Sequence, residues 1–260
     1  MCFDPDARPP IPPIAGGALE SGPVILTSAD GSRFRAFRAR AAEPTGAGIL
    51  ILPDVRGLHP YYEDLALRFA EHGVDALAID YFGRTAGVEG RDPGFDFRPH
   101  IERVTYAALT ADLRTGAAYL RSPEGGSVRS LFTIGFCFGG RLSFLAATLD
   151  LDLAGVIGFY GWPVGPGRGG MPAPAEVAKE MRAPVLAIFG GADEGIPQSA
   201  VDTFEAALVE AGVEHRVVTY PNAPHSFFDR RADEFARTSE AAWQETIEFV
   251  RAHTAPVAAG

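Results

Sequence analysis

Thiols are almost missing from this chain: Cys2 and Cys137 are the only cysteines in 260 residues. Two cysteines make no disulfide framework, and Cys2 lies in a Pro-rich end where a bridge to Cys137 is not expected. Neither thiol has a neighbour close enough in sequence to act as a resolving partner, which weighs against a redox pair. Long apolar runs are also missing, so no membrane span is expected. The start, Met1-Cys-Phe-Asp-Pro-Asp6, lacks a basic stretch followed by an apolar core, so no secretory signal is expected. Basic residues are outnumbered 23 to 33, for a net charge of -10. That balance argues against nucleic acid and anionic membranes as partners. The charge identifies no substrate, and with so few cysteines and no signal or span a soluble protein of the reducing cytoplasm, a monomer or small homo-oligomer, is expected.

What the chain does contain is alternation. Residues 1–22 hold Pro5, Pro9, Pro10, Pro12 and Pro13 and read as an extended tail. Val24 to Thr27 and Phe34 to Arg38 read as strands joined through an Asp30-Gly31 hairpin signal. Ala47 to Leu52, Val74 to Ile79, Leu131 to Ile134, Ala154 to Tyr160 and Pro184 to Phe189 are apolar runs suited to strands buried on both faces. Between them, Tyr61 to His72, Ile101 to Leu120 and Gln198 to Ala211 carry apolar residues at helical period. Val213 to Tyr220 reads as a last strand and Phe235 to His253 as a closing helix. The stretch 161–175, rich in Gly and Pro, reads as a long surface loop. No repeat or domain-sized linker appears. The expectation is one α/β domain over 23–254, a mostly parallel sheet covered on both faces without a large lid domain, with a flexible tail at 255–260. In such folds every strand-to-helix loop opens on one edge of the sheet, where ligands bind.

The organising stretch is Ser130-Leu-Phe-Thr-Ile-Gly-Phe-Cys-Phe-Gly-Gly140. An apolar strand meets a turn written Gly-x-Cys-x-Gly, and a helix-like segment follows at once. The serine form of this turn is the nucleophile elbow of α/β-hydrolases. Its flanking glycines leave room where the strand doubles back into the helix. Cys137 then projects alone at a helix N-terminus, whose dipole favours a thiolate. The plainer alternative is a small buried hydrophobe in a βα turn.

A thiol nucleophile needs a base, and the base needs an orienter. Cys137, Asp193 and His225 follow one another in the order nucleophile, acid, histidine, the chain order of α/β-hydrolases. Of the six histidines, His225 alone follows a late strand in a loop; His59 stays as a second candidate. Asp193, beside two glycines, also suits a turn. In a working triad Asp193 fixes the His225 tautomer and His225 moves the proton of Cys137. The oxyanion is expected at the backbone N–H groups of Phe138 and Val55.

At this point the chain resembles the dienelactone hydrolase family, cysteine-dependent α/β-hydrolases that open cyclic enol-lactones and cleave some esters. Gly135-Phe-Cys137-Phe-Gly-Gly140 is similar to the family's elbow. Phe189-Gly-Gly-Ala-Asp193 with Ile196-Pro197 resembles its acid segment, and His225-Ser-Phe227 its histidine segment. The resemblance covers nearly the whole chain. It implies that Asp54 is the acidic residue that touches the resting thiol, and that Arg84 binds a substrate carboxylate. The family's second carboxylate-binding arginine lies four residues after the histidine, where this chain has Asp229, with Arg230 adjacent and Arg56 elsewhere. A less charged ester, lactone or thioester is therefore also admitted. Phe136, Phe138, Tyr81, Phe82, Trp162 and Phe227 are candidates for an apolar pocket. The chemistry implied needs no cofactor and no metal. The competing readings are a general carboxylesterase or thioesterase on the same triad and, from another class, a non-enzymatic binding or redox-sensing module.

Overall fold

A computed structural model describes residues 7–92, 94–228 and 234–256 of the chain. Eight strands form one sheet: β1 (Ala18–Thr27), β2 (Arg33–Ala41), β3 (Ala47–Leu52), β4 (Val74–Ile79), β5 (Ser130–Phe136), β6 (Leu153–Phe159), β7 (Val185–Gly190) and β8 (His215–Tyr220). Their order across the sheet is β1-β2-β4-β3-β5-β6-β7-β8. β1 and β2 pair antiparallel, and β2 pairs antiparallel with β4. Every pairing from β4 through β3 to β8 is parallel.

The apolar runs are continuous because these strands have no wet face. Every residue of β3, β4, β5 and β7 is buried, so helices must cover the sheet on both sides. α1 (Pro60–Glu71) starts on a proline, as a first helical position favours. α2 (Gly83–Ala86) and α3 (Arg98–Ile101) are single turns. α4 (Tyr106–Arg121), α5 (Phe138–Ala146), α6 (Gln198–Ala211) and α7 (Ala236–Ala252) complete the layers. Each fully buried Leu, Ile or Phe side chain contributes about 1.5–3 kcal/mol to this arrangement. Among the described residues no helix is long and apolar enough to cross a membrane.

Two boundaries differ from the sequence expectation. The helix expected over 101–120 is broken: Thr105 is extended at φ -122°, ψ 149°, and its side chain caps α4 by accepting from the Ala108 amide. A threonine hydroxyl competes for backbone donors, which makes it a better helix start than interior. The strand expected from Val24 begins at Ala18, pairing with Ala41. Gly22 and Pro23 mask it in the sequence, and an edge strand tolerates both. The preceding residues lie against α1, where the Ile14 amide donates to Glu71.

Candidate active site

The loop between β5 and α5 holds Cys137 at φ 54°, ψ -111°. Residues other than glycine avoid this conformation, which stores about 1–3 kcal/mol of strain. Backbone bonds on both sides hold it there: the Cys137 amide donates to Phe159 O at 3.0 Å, and the Arg141 amide donates to Cys137 O at 3.1 Å. Space explains the glycines. A Cβ on Gly139 would lie 2.0 Å from Leu52 O and 2.3 Å from Pro53 O. The first turn of α5 thus rests directly on the end of β3, with its amide ends beside the thiol.

Two neighbouring strand ends supply the other groups. Asp193 follows β7 in a tight turn, where Oδ1 accepts from the amides of Gly195 at 2.8 Å and Ile196 at 3.2 Å. Its other oxygen, Oδ2, lies 2.7 Å from His225 Nδ1, in the loop after β8. The Asp193 side chain is 2% exposed, so these bonds replace its lost hydration. With Nδ1–H donated to the carboxylate, Nε2 is left as the acceptor nitrogen. The Tyr160 ring lies 4.8 Å from the imidazole, centroid to centroid.

Cys137, Asp193, His225, Val55 and Phe138 line one cavity of about 890 Å³. The structure therefore brings together five residues that are scattered in sequence. The other histidines are engaged elsewhere. Nδ1 of His72, His215 and His253 meets a local backbone carbonyl, and that of His100 meets Thr85. His59 is half-buried, and desolvation of its ring followed by the nearby Arg56 charge lowers its pKa to about 3.

Asp54 is fully buried and immediately precedes Val55 of the cavity lining. Its Oδ1 accepts from the Arg56 amide at 2.8 Å, and its own amide meets Tyr62 Oη at 3.0 Å. Tyr81 donates its hydroxyl to Pro53 O at 2.7 Å. Burial raises the Tyr81 pKa well above its usual value, and the charges of Asp54, Asp80 and Cys137 add to the rise. Asp54 and the thiol therefore act on the same neighbour.

Arg84 corrects an expectation, because the structure does not place it in the cavity wall. Its guanidinium grips Asp112 through Nη1 at 2.6 Å and Nη2 at 2.9 Å, and Asp30 through Nε at 3.1 Å. A fork held on two carboxylates is committed to α4, through Asp112, and to the hairpin between β1 and β2, through Asp30. The arginines that line the cavity are Arg141 and Arg168. Arg56 lies 5.9 Å from the Phe97 ring. Cys2, Asp229 and Arg230 lie outside the described residues.

The aromatic wall also differs from expectation. Phe138 and Trp162 line the cavity, whereas Phe136, Phe82, Tyr81 and Phe227 are buried in the core. Tyr160 and Phe235 take their place in the lining. Tyr160 carries no sequence signal beyond its position at a strand end. Arg141 was hidden by its helical spacing.

The model of the dienelactone hydrolase family matches residues 34–254. The chain belongs to the dienelactone hydrolase family. It is 30% identical over 243 residues to an Escherichia coli O157:H7 protein named "Putative carboxymethylenebutenolidase", covering 90% of this chain and 88% of that one. A Methylorubrum extorquens protein of the same name is 31% identical over 240 residues, covering 90% and 81%. A crystal structure described as "Putative Dienelactone Hydrolase", from Klebsiella pneumoniae, superposes with a TM-score of 0.76 at 29% identity, covering 90% of this chain and 99% of that one. This dienelactone hydrolase family member is thus a hydrolase with the α/β-hydrolase fold, and its cavity lies at the sheet edge where that fold places its active site.

Proposed function

We propose that the protein hydrolyses an ester or lactone bond of a small molecule through Cys137, His225 and Asp193. The observation that carries this reading is the Asp193–His225 contact of 2.7 Å, in a cavity shared with a cysteine on a strained elbow. His225 Nε2 takes the proton of Cys137 Sγ, and the thiolate adds to the carbonyl carbon. The N–H groups of Phe138 and Val55 receive the oxyanion, each donor being worth about 10²–10³ in rate. Collapse breaks the carbon–oxygen bond, and His225 returns the proton to the leaving alkoxide. Water, deprotonated by His225, then attacks the thioester; its collapse frees the acid and restores the thiol.

Asp193 holds the imidazole tautomer throughout and stabilises the imidazolium as it forms. Asp54 is assigned to the resting state, as the acidic group against the thiol before substrate enters. Arg84 receives no part in substrate binding, since Asp112 and Asp30 occupy its donors.

Hydrolysis of a chromogenic phenyl ester by the native protein, Cys137→Ala and His225→Ala tests the reading. Both variants are expected to lose about 10³-fold or more in kcat while remaining folded. Turnover that survives in Cys137→Ala would overturn it.

A further inference from the structure

The residue one helical turn after Cys137 is a buried arginine that forms no salt bridge among the described residues, although the Glu176 charge acts on it. Arg141 is 4% exposed. Its Nη1 donates to Trp162 O at 3.1 Å and Val164 O at 3.3 Å. Its Nη2 donates to Gly165 O at 2.5 Å, Pro172 O at 2.7 Å and Met171 O at 3.4 Å. Five backbone carbonyls of one segment thus converge on one guanidinium. The segment has little regular structure of its own beyond a single 3-10 turn, Arg168–Gly170. It supplies one side of the catalytic cavity, through Trp162, Pro166, Gly167, Arg168 and Met171.

The fit is tight from both sides. A Cβ on Gly167 would lie 2.7 Å from Arg141 Nε and 2.8 Å from Met171 Cβ. A side chain at Gly167 would therefore push against both the guanidinium and Met171. Lysine could not do the same work, because its three donors radiate from one point and cannot span carbonyls this far apart along the chain. Arg141 is rooted in α5, the helix that begins at the nucleophile, so the wall is fixed to the reacting centre rather than to a mobile element.

We propose that Arg141 is a positioning residue that holds segment 162–172 as a fixed cavity wall and so limits the size of the acyl or alcohol group the site accepts. The size limit rests on the ester hydrolysis proposed above; the fixing of the wall does not. Burying a guanidinium among carbonyls is unfavourable unless its terminal donors are paired, as Nη1 and Nη2 are here.

The test uses Arg141→Met and Gly167→Ala with two readouts. The first is acrylamide quenching of tryptophan fluorescence: Trp162 is 38% exposed and Trp243 only 4%, so a change reports the wall. Both variants are expected to raise quenching. The second is kinetics on a small acetyl ester and a bulky aroyl ester of the same alcohol. Both variants are expected to raise the bulky-to-acetyl ratio of kcat/KM by about tenfold, because a released wall admits the larger group. Arg141→Lys should keep the defect, and the double variant should be no worse than either single one. Unchanged quenching and unchanged size selectivity in the folded variants would overturn the proposal, and so would an equal fall on both esters. Should Arg141→Met fail to fold, Gly167→Ala decides alone. If the native protein cleaves neither ester, the proposed hydrolysis fails, and quenching still decides whether Arg141 holds the wall.

Discussion

Asp193 and His225, 32 residues apart in sequence, meet through a 2.7 Å contact, and the second carboxylate oxygen is tied to the amides of Gly195 and Ile196. The acid is thereby held from both ends, with one oxygen for the turn and one for the imidazole. In Asp193→Asn the carboxamide can present its NH₂ to the imidazole and favour the wrong tautomer. We expect kcat to fall by about 10³–10⁴-fold with the fold retained. Steady-state kinetics and circular dichroism on the same sample check both halves.

The strained elbow can be measured by removing the thiol in two ways. Cys137 sits at φ 54°, which alanine resists and glycine accepts. Relief of about 1–3 kcal/mol of strain, less about 0.5–1 kcal/mol for the freer unfolded chain, leaves glycine ahead. Cys137→Gly should be more stable than Cys137→Ala by about 1 kcal/mol in urea unfolding, with both inactive. Equal stabilities would mean that the elbow strain does not exceed the cost of glycine's freer unfolded chain, about 0.5–1 kcal/mol.

Arg84 is expected to matter for stability and not for substrate choice. Its removal leaves the buried Asp112 carboxylate, whose side chain is 1% exposed, without a counter-charge and with the Ser28 hydroxyl as its side-chain donor. Arg84→Ala should lose about 3 kcal/mol of stability. The ratio of rates on an ester carrying a free carboxylate and on its neutral analogue should not change. A preference for the carboxylate that vanishes in Arg84→Ala would show that the fork reaches the substrate after all.

His59 sets an acid limit. Its folded pKa of about 3 lies below the ordinary value of 6.5. Below pH 6.5 the unfolded chain takes up a proton that the folded protein refuses. Stability is therefore lost as pH falls from that value toward 3, by about 1.4 kcal/mol per pH unit at most. His59→Asn should flatten stability against pH across this window, measured by urea unfolding at a series of pH values. An unchanged slope would place the acid sensitivity elsewhere.

Much of this arrangement is legible in the sequence, and the reason is steric. The runs at Ala47–Leu52 and Val185–Gly190 are apolar because no residue in them meets water. The glycines around Cys137 are visible because a side chain at Gly139 would strike β3. Cys137, Asp193 and His225 could be chosen because each follows a strand and the topology brings strand ends together. Arg84 also follows a strand, yet α2 turns the chain beside β2, where Asp30 and Asp112 capture its guanidinium. Nothing local to Arg84 announces partners 54 positions before it and 28 after it. Arg141 was missed for the opposite reason. Its position reads as an ordinary helical residue, and its partners are backbone carbonyls, which any sequence supplies.

The most direct test of Cys137 as nucleophile is to trap the covalent intermediate. The native protein, mixed with an activated ester and quenched in acid within its first turnovers, would be analysed by intact mass and peptide mapping. One acyl group per chain is expected, carried as a thioester on Cys137, with no adduct in Cys137→Ala. Hydrolysis that proceeds with no adduct on Cys137, at a rate the alanine variant shares, would contradict that assignment.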